Sequence, residues 1–515
     1  MCSARHQLQS NSNRKKSLVK QFLDFITVEP ILVFLNVPLC LLSIAVQNLS
    51  LEKICRVNLK YSDMVCDNMI DKRLNNIKCS DIITTDFDSA NESAALNVNN
   101  IRLGNAGPDM DLLKVFVCIA EKESQKYGSA LQAYIAPFDA FVSVVVVLLA
   151  GAWSDKTGRR KPCIILPIVA DCIAHIVLLV GATFMKQLPV EFTTILSTMI
   201  MSVCGGYRLM YMGIFSYLTD ITTAEDRVFR LGVVYQIFPI MSVISLPLSG
   251  ILYVTLGYIK LLSICIFLNI CGIVYAIDYL KEVPQRREPV AFEVELMNEY
   301  STVDGNTKSD LVREVKFSEI FNFQILRDSL NVVFRKRDYN GRTVVLLLFL
   351  MTIVYNGIFA GESANNYFFV RTKLNWEAME EAPYAAFSCF TSFIGMVFLI
   401  NICSKMLKVS DAIINVISAV TTTLSRVVFI FVSTNLVFYA ATTIDMFADI
   451  LTLVAKSIIA AFVETGEIGR IYSVFGMLES IAKFIFVPIY ATIYKHTVSH
   501  FPTLISFAAQ HVISS

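Results

Sequence analysis

Apolar runs of about 20 residues, each closed by a polar connector, recur along this chain, and that is the length a helix needs to cross a bilayer core. They predict spans near 28–48, 131–152, 163–185, 193–217, 230–256, 259–280, 343–370, 383–403, 411–432, 435–460 and 471–494, and a last one from Phe501. The pattern is that of an all-α membrane protein with about twelve spans in two sets of six, the last one short. Two polar stretches interrupt the series, 49–130 after the first span and 281–342 in the middle. The expected organisation is therefore a tail (1–27), a six-helix bundle (28–280), a linker (281–342) and a second helix bundle (343–515).

The first run begins near Val28, lacks a small-residue cleavage site and is long enough to span, so it reads as a retained helix and not a signal peptide. Arg14, Lys15, Lys16 and Lys20 precede it, which places the amino terminus in the cytoplasm. The alternate connectors agree, because Lys156, Arg159, Arg160, Lys161, Arg227, Lys405, Lys408 and Arg470 all fall on the same side. Segment 49–130 is then exoplasmic, with Asn91-Glu92-Ser93 as an acceptor pattern for N-glycosylation. Cys55, Cys66, Cys79 and Cys118 fall there too, where an oxidising compartment permits disulfides, and four cysteines allow three pairings.

Composition supports the membrane reading. Of 515 residues 55% are hydrophobic and only 17% charged, and the mean hydropathy is +0.58. A net charge of +1, with the basic residues sorted by loop, argues against a nucleic-acid footprint. No nucleotide-binding loop appears, which argues against ATP-driven transport. No CxxC or Cys/His spacing suggests a metal, and no cofactor is expected. Asp445 and Asp449 lack the sequence context of an intramembrane hydrolase, so no enzyme is expected either.

The connector after the second span, GAWSDKTGRRKP, packs five charges into twelve positions between two apolar runs. Gly151, Asp155, Gly158, Arg159 and Arg160 in it resemble the signature loop of the major facilitator superfamily. SYLTDITTAEDRVFR at 216–230, SGILYVTLGY at 249–258 and YLKEVPQ at 279–285 narrow the resemblance to the solute carrier family of the proton-coupled folate transporter and its lysosomal relatives. The resemblance implies a major facilitator fold whose two six-helix halves rock around a central cavity. It also implies a cytoplasmic latch, in which Asp155 sits against a helix start of the other half near Gly469 and Arg159 meets Asp220, closing when the carrier faces outward. The plainer alternative is that these charges only set topology.

Ionisable groups at span depth are costly and mark function by default. The family's architecture implies that spans one, four, seven and ten line the cavity and that three, six, nine and twelve lie outside. On those terms the candidates for substrate or proton binding are Arg208 in span four, Glu362 in span seven, and Asp445, Asp449 and Lys456 in span ten, where helical periodicity puts the last three on one stripe. A guanidinium at Arg208 suits a carboxylate or phosphate, and structural pairing is its alternative role. Asp171 with His175 and Glu479 with Lys483 are i,i+4 pairs expected to neutralise each other, while Arg426 and Asp139 carry no assigned role.

Two departures bear on cargo and coupling. Tyr235 stands where the folate carrier has a coupling glutamate, and span seven lacks its histidine, although Lys456 preserves a cation near its span-ten arginine. The expected function is secondary transport of an organic anion or amphipathic small molecule (a pterin, steroid conjugate or muropeptide) with protons as partner. The membrane would be plasma or lysosomal. The alternative is a non-transporting receptor that keeps the carrier fold.

Overall fold

The computed structural model describes residues 27–71, 79, 110–221, 224–282, 334–335, 341–399, 406, 409–461 and 468–497. Asn91, most of the central linker and the expected last span lie outside them. Within them the chain is helical: α1 (Glu29–Lys53), α2 (Asp63–Ile70), α3 (Met110–Thr157), α4 (Lys161–Thr183), α5 (Val190–Val203), α6 (Gly206–Ile221), α7 (Ala224–Tyr279), α8 (Gly341–Lys373), α9 (Ala378–Val397), α10 (Asp411–Ile430), α11 (Asn435–Ile444), α12 (Ala448–Ala461) and α13 (Ile468–Thr497). A π turn, Ile54–Asn58, extends α1, and a 3-10 turn, Asp445–Phe447, joins α11 to α12.

Eight helical stretches among the described residues are long and apolar enough to cross a membrane. The stretch Gln236–Tyr279 holds two expected spans, because the chain reverses at Gly257, whose φ of 71° favours glycine. Expected span four is divided between α5 and α6 at Cys204–Gly205. Expected span eight corresponds to α9, whose acidic first turn dilutes its apolar character. The described helices thus occupy the first eleven expected positions.

Large apolar side chains point outward along these helices, among them Phe141, Val254, Phe267, Leu350 and Val420. In water such a surface would be a liability, whereas in a bilayer it is the solvated face. Proline sits inside α1, α3, α4, α7, α9 and α13, as helices in lipid tolerate. The amino-terminal half (α1–α7) packs a core of Leu32, Leu35, Ile164, Ile214 and Leu218. The carboxyl-terminal half has its own cluster around Phe369, Trp376, Tyr384 and Phe438. A third cluster draws on both halves: Leu51, Cys55, Cys66 and Val117 meet Tyr367, Phe368, Tyr490 and Tyr494. There α7 and α9 approach so closely that a Cβ on Gly250 would stand 2.5 Å from the Ala378 carbonyl oxygen.

Two disulfides, Cys55–Cys66 and Cys79–Cys118, select one of the three pairings and mark this end of the molecule. The first ties the foot of α1 to α2. The second ties residue 79 to α3.

Candidate functional site

At the disulfide-bearing end the halves are joined by a buried polar seam. Glu121, Gln125 and Ser129 recur every fourth residue on α3, so they form one stripe, and the stripe faces α8 and α13. Arg371 of α8 is fully buried; its Nε donates to Glu121 Oε1 at 2.6 Å, its Nη1 to Asn48 Oδ1 at 3.1 Å, and its Nη2 to the Met69 carbonyl. Tyr367 donates to Asn48 as well. Gln125 accepts from Thr372 at 2.6 Å and from Tyr494 at 2.9 Å, and Ser129 donates to the Ala491 carbonyl at 2.8 Å. One guanidinium thus holds α1, α2 and α3 to the opposite half, and this end is shut.

Beneath the seam the carboxyl-terminal half holds a charged triad. Arg426 of α10 bonds Glu362 of α8 at 2.8 Å and Asp445, in the 3-10 turn, at 3.4 Å. One cation faces two carboxylates, and Glu362 Oε1, Asp445 Oδ1 and Arg426 Nε are buried without a hydrogen-bond partner among the described residues. An incompletely satisfied charge cluster at that depth is expensive, and one added proton would bring the triad to neutrality. Arg426 had no assigned role because span nine was expected to be peripheral. Its long side chain nevertheless reaches Glu362 on α8 and Asp445 in the 3-10 turn.

The other span-ten candidates do not join Asp445. Asp449 is exposed and accepts from Tyr355 of α8 at 3.5 Å. Lys456 turns to α13 and donates to Glu479 at 2.8 Å. The stripe expected from unbroken periodicity is split, because the 3-10 turn resets the helical phase between Asp445 and Ala448. The Lys456–Glu479 bond also replaces the expected Glu479–Lys483 pair. Lys483 has no ion pair among the described residues and lies within electrostatic reach of Arg208, Asp139 and Glu479. Arg208, on α6, likewise has no ion pair among them, and its Nη1 is buried without a partner. Asp139 accepts from Ser202 at 2.5 Å. Cations and carboxylates from both halves therefore meet here, and Arg208 and Lys483 are cations without an ion pair among the described residues.

The expected pair Asp171–His175 is present at 3.6 Å and is completed by Asn269, which bonds Asp171 at 2.8 Å and His175 at 3.0 Å, and by Tyr207, which donates to Asp171 at 2.8 Å. At the opposite end from the disulfides, Asp220 is met by Arg160 at 3.0 Å and not by Arg159, which is exposed. The physical reason is local: Gly158, at φ 71°, turns the chain so that Ser154 bonds both the Arg159 carbonyl, at 2.9 Å, and Arg160 Nη1, at 3.0 Å, aiming the second arginine inward. Gly151 lies against α6, where a Cβ would stand 3.1 Å from Met212 Sδ. The side chain of Asp155 lies outside the described residues.

The model of the Major Facilitator Superfamily matches residues 122–487. The chain belongs to that superfamily. It is similar to the "Probable peptidoglycan muropeptide transporter SLC46" of Drosophila melanogaster, 18% identical over 395 residues that cover 74% of this chain and 70% of the relative. That likeness agrees with the narrower solute-carrier resemblance in the sequence. Among solved structures it is similar to a POT peptide transporter in complex with sulfate, at a TM-score of 0.52, 12% identity and coverage of 91% and 93% of the two chains. It is also similar to a POT family transporter in complex with a thioalcohol-conjugated peptide, at 0.52, 13% identity and coverage of 76% and 93%. These likenesses show the major facilitator fold, and the chain is a multi-pass membrane protein of a transporter family.

Proposed function

We propose that the protein is a proton-coupled secondary carrier of an organic anion or amphipathic small molecule. The observation that carries this reading is the Arg426 triad: two carboxylates share one buried guanidinium, so the group gains neutrality by taking up one proton. Arg208 and Lys483, on the two halves and without an ion pair among the described residues, supply the attraction for an anionic cargo. A muropeptide fits the cargo class, and one relative carries that name. The disulfides support an exoplasmic position for the Cys55–Cys118 end, because they persist on the oxidising side, and the basic connectors support a cytoplasmic amino terminus. The membrane is that of the cell surface or the lysosome.

The test is uptake of a labelled anion panel into vesicles reconstituted with the full chain, under an imposed acid-outside gradient. Gradient-driven accumulation is expected, with Arg208→Ala and Lys483→Ala lowering it and Glu362→Gln uncoupling it from the gradient. Binding without accumulation for every member of the panel would overturn the carrier reading in favour of a receptor.

A further inference from the structure

Arg371 spends its charge on Glu121, so a second buried carboxyl in the same seam is left without a cation. That carboxyl is Glu381, in the first turn of α9 ahead of the span that starts near Pro383. It is 9% exposed and makes no side-chain hydrogen bond or ion pair among the described residues. Its neighbours Glu377 and Glu380 are engaged in the capping box of α9, so the helix end does not occupy it. Ala378 and Ala382, on either side, are the residues that meet Gly250 where the halves press together. Closing the seam therefore buries Glu381 and opening it restores water to the carboxyl.

We propose that Glu381 is a proton-binding site of the exoplasmic gate, separate from the Arg426 triad, and that the seam pinned by Arg371 closes with a proton on Glu381. The titratable and charged groups around it offer no compensation. Tyr367 of α8 and Tyr384 of its own helix lie within electrostatic reach of it; Arg371 is committed to Glu121, and Arg426, which also reaches Tyr384, is held by Glu362 and Asp445. Lys53 donates to the Leu188 carbonyl at 2.9 Å and is not directed at Glu381. Burial alone pushes Glu381 up from the usual glutamate range to about 7.

The sign follows from linkage. The sealed state binds the proton more tightly than the open state, so sealing is fully favoured below the ordinary glutamate range and weakens as pH rises toward 7. Across that window the sealed-to-open ratio falls up to about tenfold per pH unit. An acidic exoplasmic side thus loads the gate and shuts it, which is the order a proton-driven import cycle requires.

The experiment uses the full chain in lipid nanodiscs, with both disulfides intact and spin labels at the exposed residues Lys60 and Leu436, one on each half. The distance distribution is followed from pH 5 to pH 8. In the wild type the short-distance population should fall as pH rises, and Glu381→Gln should keep it high throughout. Glu381→Asp should retain a pH-dependent profile, which separates loss of the proton site from a folding defect. A wild-type distribution that ignores pH, or a Glu381→Gln protein with the wild-type profile, overturns the proposal. So does a pH dependence abolished by Glu121→Gln and kept in Glu381→Gln. None of these readouts involves cargo, so failure here is distinguishable from failure of the carrier reading.

Discussion

Arg426→Met is the sharpest perturbation of the carboxyl-terminal half. The guanidinium is 7% exposed and is the cation bonded by both Glu362 and Asp445, so its removal leaves two buried carboxylates facing each other. Breaking a buried pair by deleting one partner costs about 3–5 kcal/mol, and here two carboxylates lose their partner at once, so the upper part of that range is expected. The triple variant Arg426→Met, Glu362→Gln, Asp445→Asn removes all three charges with side chains of similar volume, and it should recover most of the loss. Equilibrium unfolding of the purified protein in detergent reads both values. Transport separates stability from coupling: the triple variant should still exchange cargo across the membrane and should no longer accumulate it against a pH gradient. A single variant within about 0.5 kcal/mol of wild type, the range of an unremarkable surface change, would refute the shared ion pair.

Three further outcomes follow. Lys483→Ala should weaken anion binding more than Lys456→Ala, because Glu479 already neutralises Lys456; equal losses in a titration with labelled anion would contradict this. Opening Cys79–Cys118, which closes 39 residues of sequence separation, should cost more stability than opening Cys55–Cys66, which closes 11, by about 1 kcal/mol from chain entropy. Unfolding of the paired Ser variants measures the difference, and peptide mapping without reductant checks the pairing. Arg371→Ala should release the seam at the disulfide-bearing end, seen as faster thiol labelling of a cysteine placed at Ser129, and unchanged labelling would argue against Arg371 as its pin.

The spans were legible because lipid requires each crossing segment to satisfy its own backbone, and this leaves a long apolar signature. Glu362 and Asp445 were legible for the converse reason, since a charge is conspicuous where charge is costly. Their partner was not. Arg426 lies 64 residues from one and 19 from the other, and periodicity along one helix says nothing about which neighbour a long side chain reaches. The 3-10 turn that sends Asp445 to Arg426 and leaves Lys456 to Glu479 has no proline or glycine to announce it. The seam was hidden differently: Glu121, Arg371 and Glu381 fall at the ends of spans or in the polar loop, where a charge ordinarily meets water and raises no question. Only the closure of one half on the other, over 250 residues of sequence, makes Arg371 and Glu121 a buried pair.

The connector GAWSDKTGRRKP acquires a more specific role from the same geometry. Arg160 and Asp220 both belong to the amino-terminal half, and they are bonded while the disulfide-bearing end is shut. If the two halves move as rigid bodies, as the superfamily resemblance implies, a pair within one of them does not part and would not be the element that opens and closes. Through Ser154 it braces the turn at Gly158, and the superfamily resemblance would set Asp155, ahead of that turn, against the start of α13 near Gly469. The two carboxylates should then behave differently. Asp220→Asn should lower stability and leave the ratio of inward- to outward-open molecules nearly unchanged, whereas Asp155→Asn should shift that ratio and slow exchange with little change in cargo affinity. Labels placed on the two halves at the end opposite the disulfides report the ratio, and counterflow in vesicles reports the exchange rate. A population shift from Asp220→Asn as large as that from Asp155→Asn would show that the arginine pair itself moves with the gate.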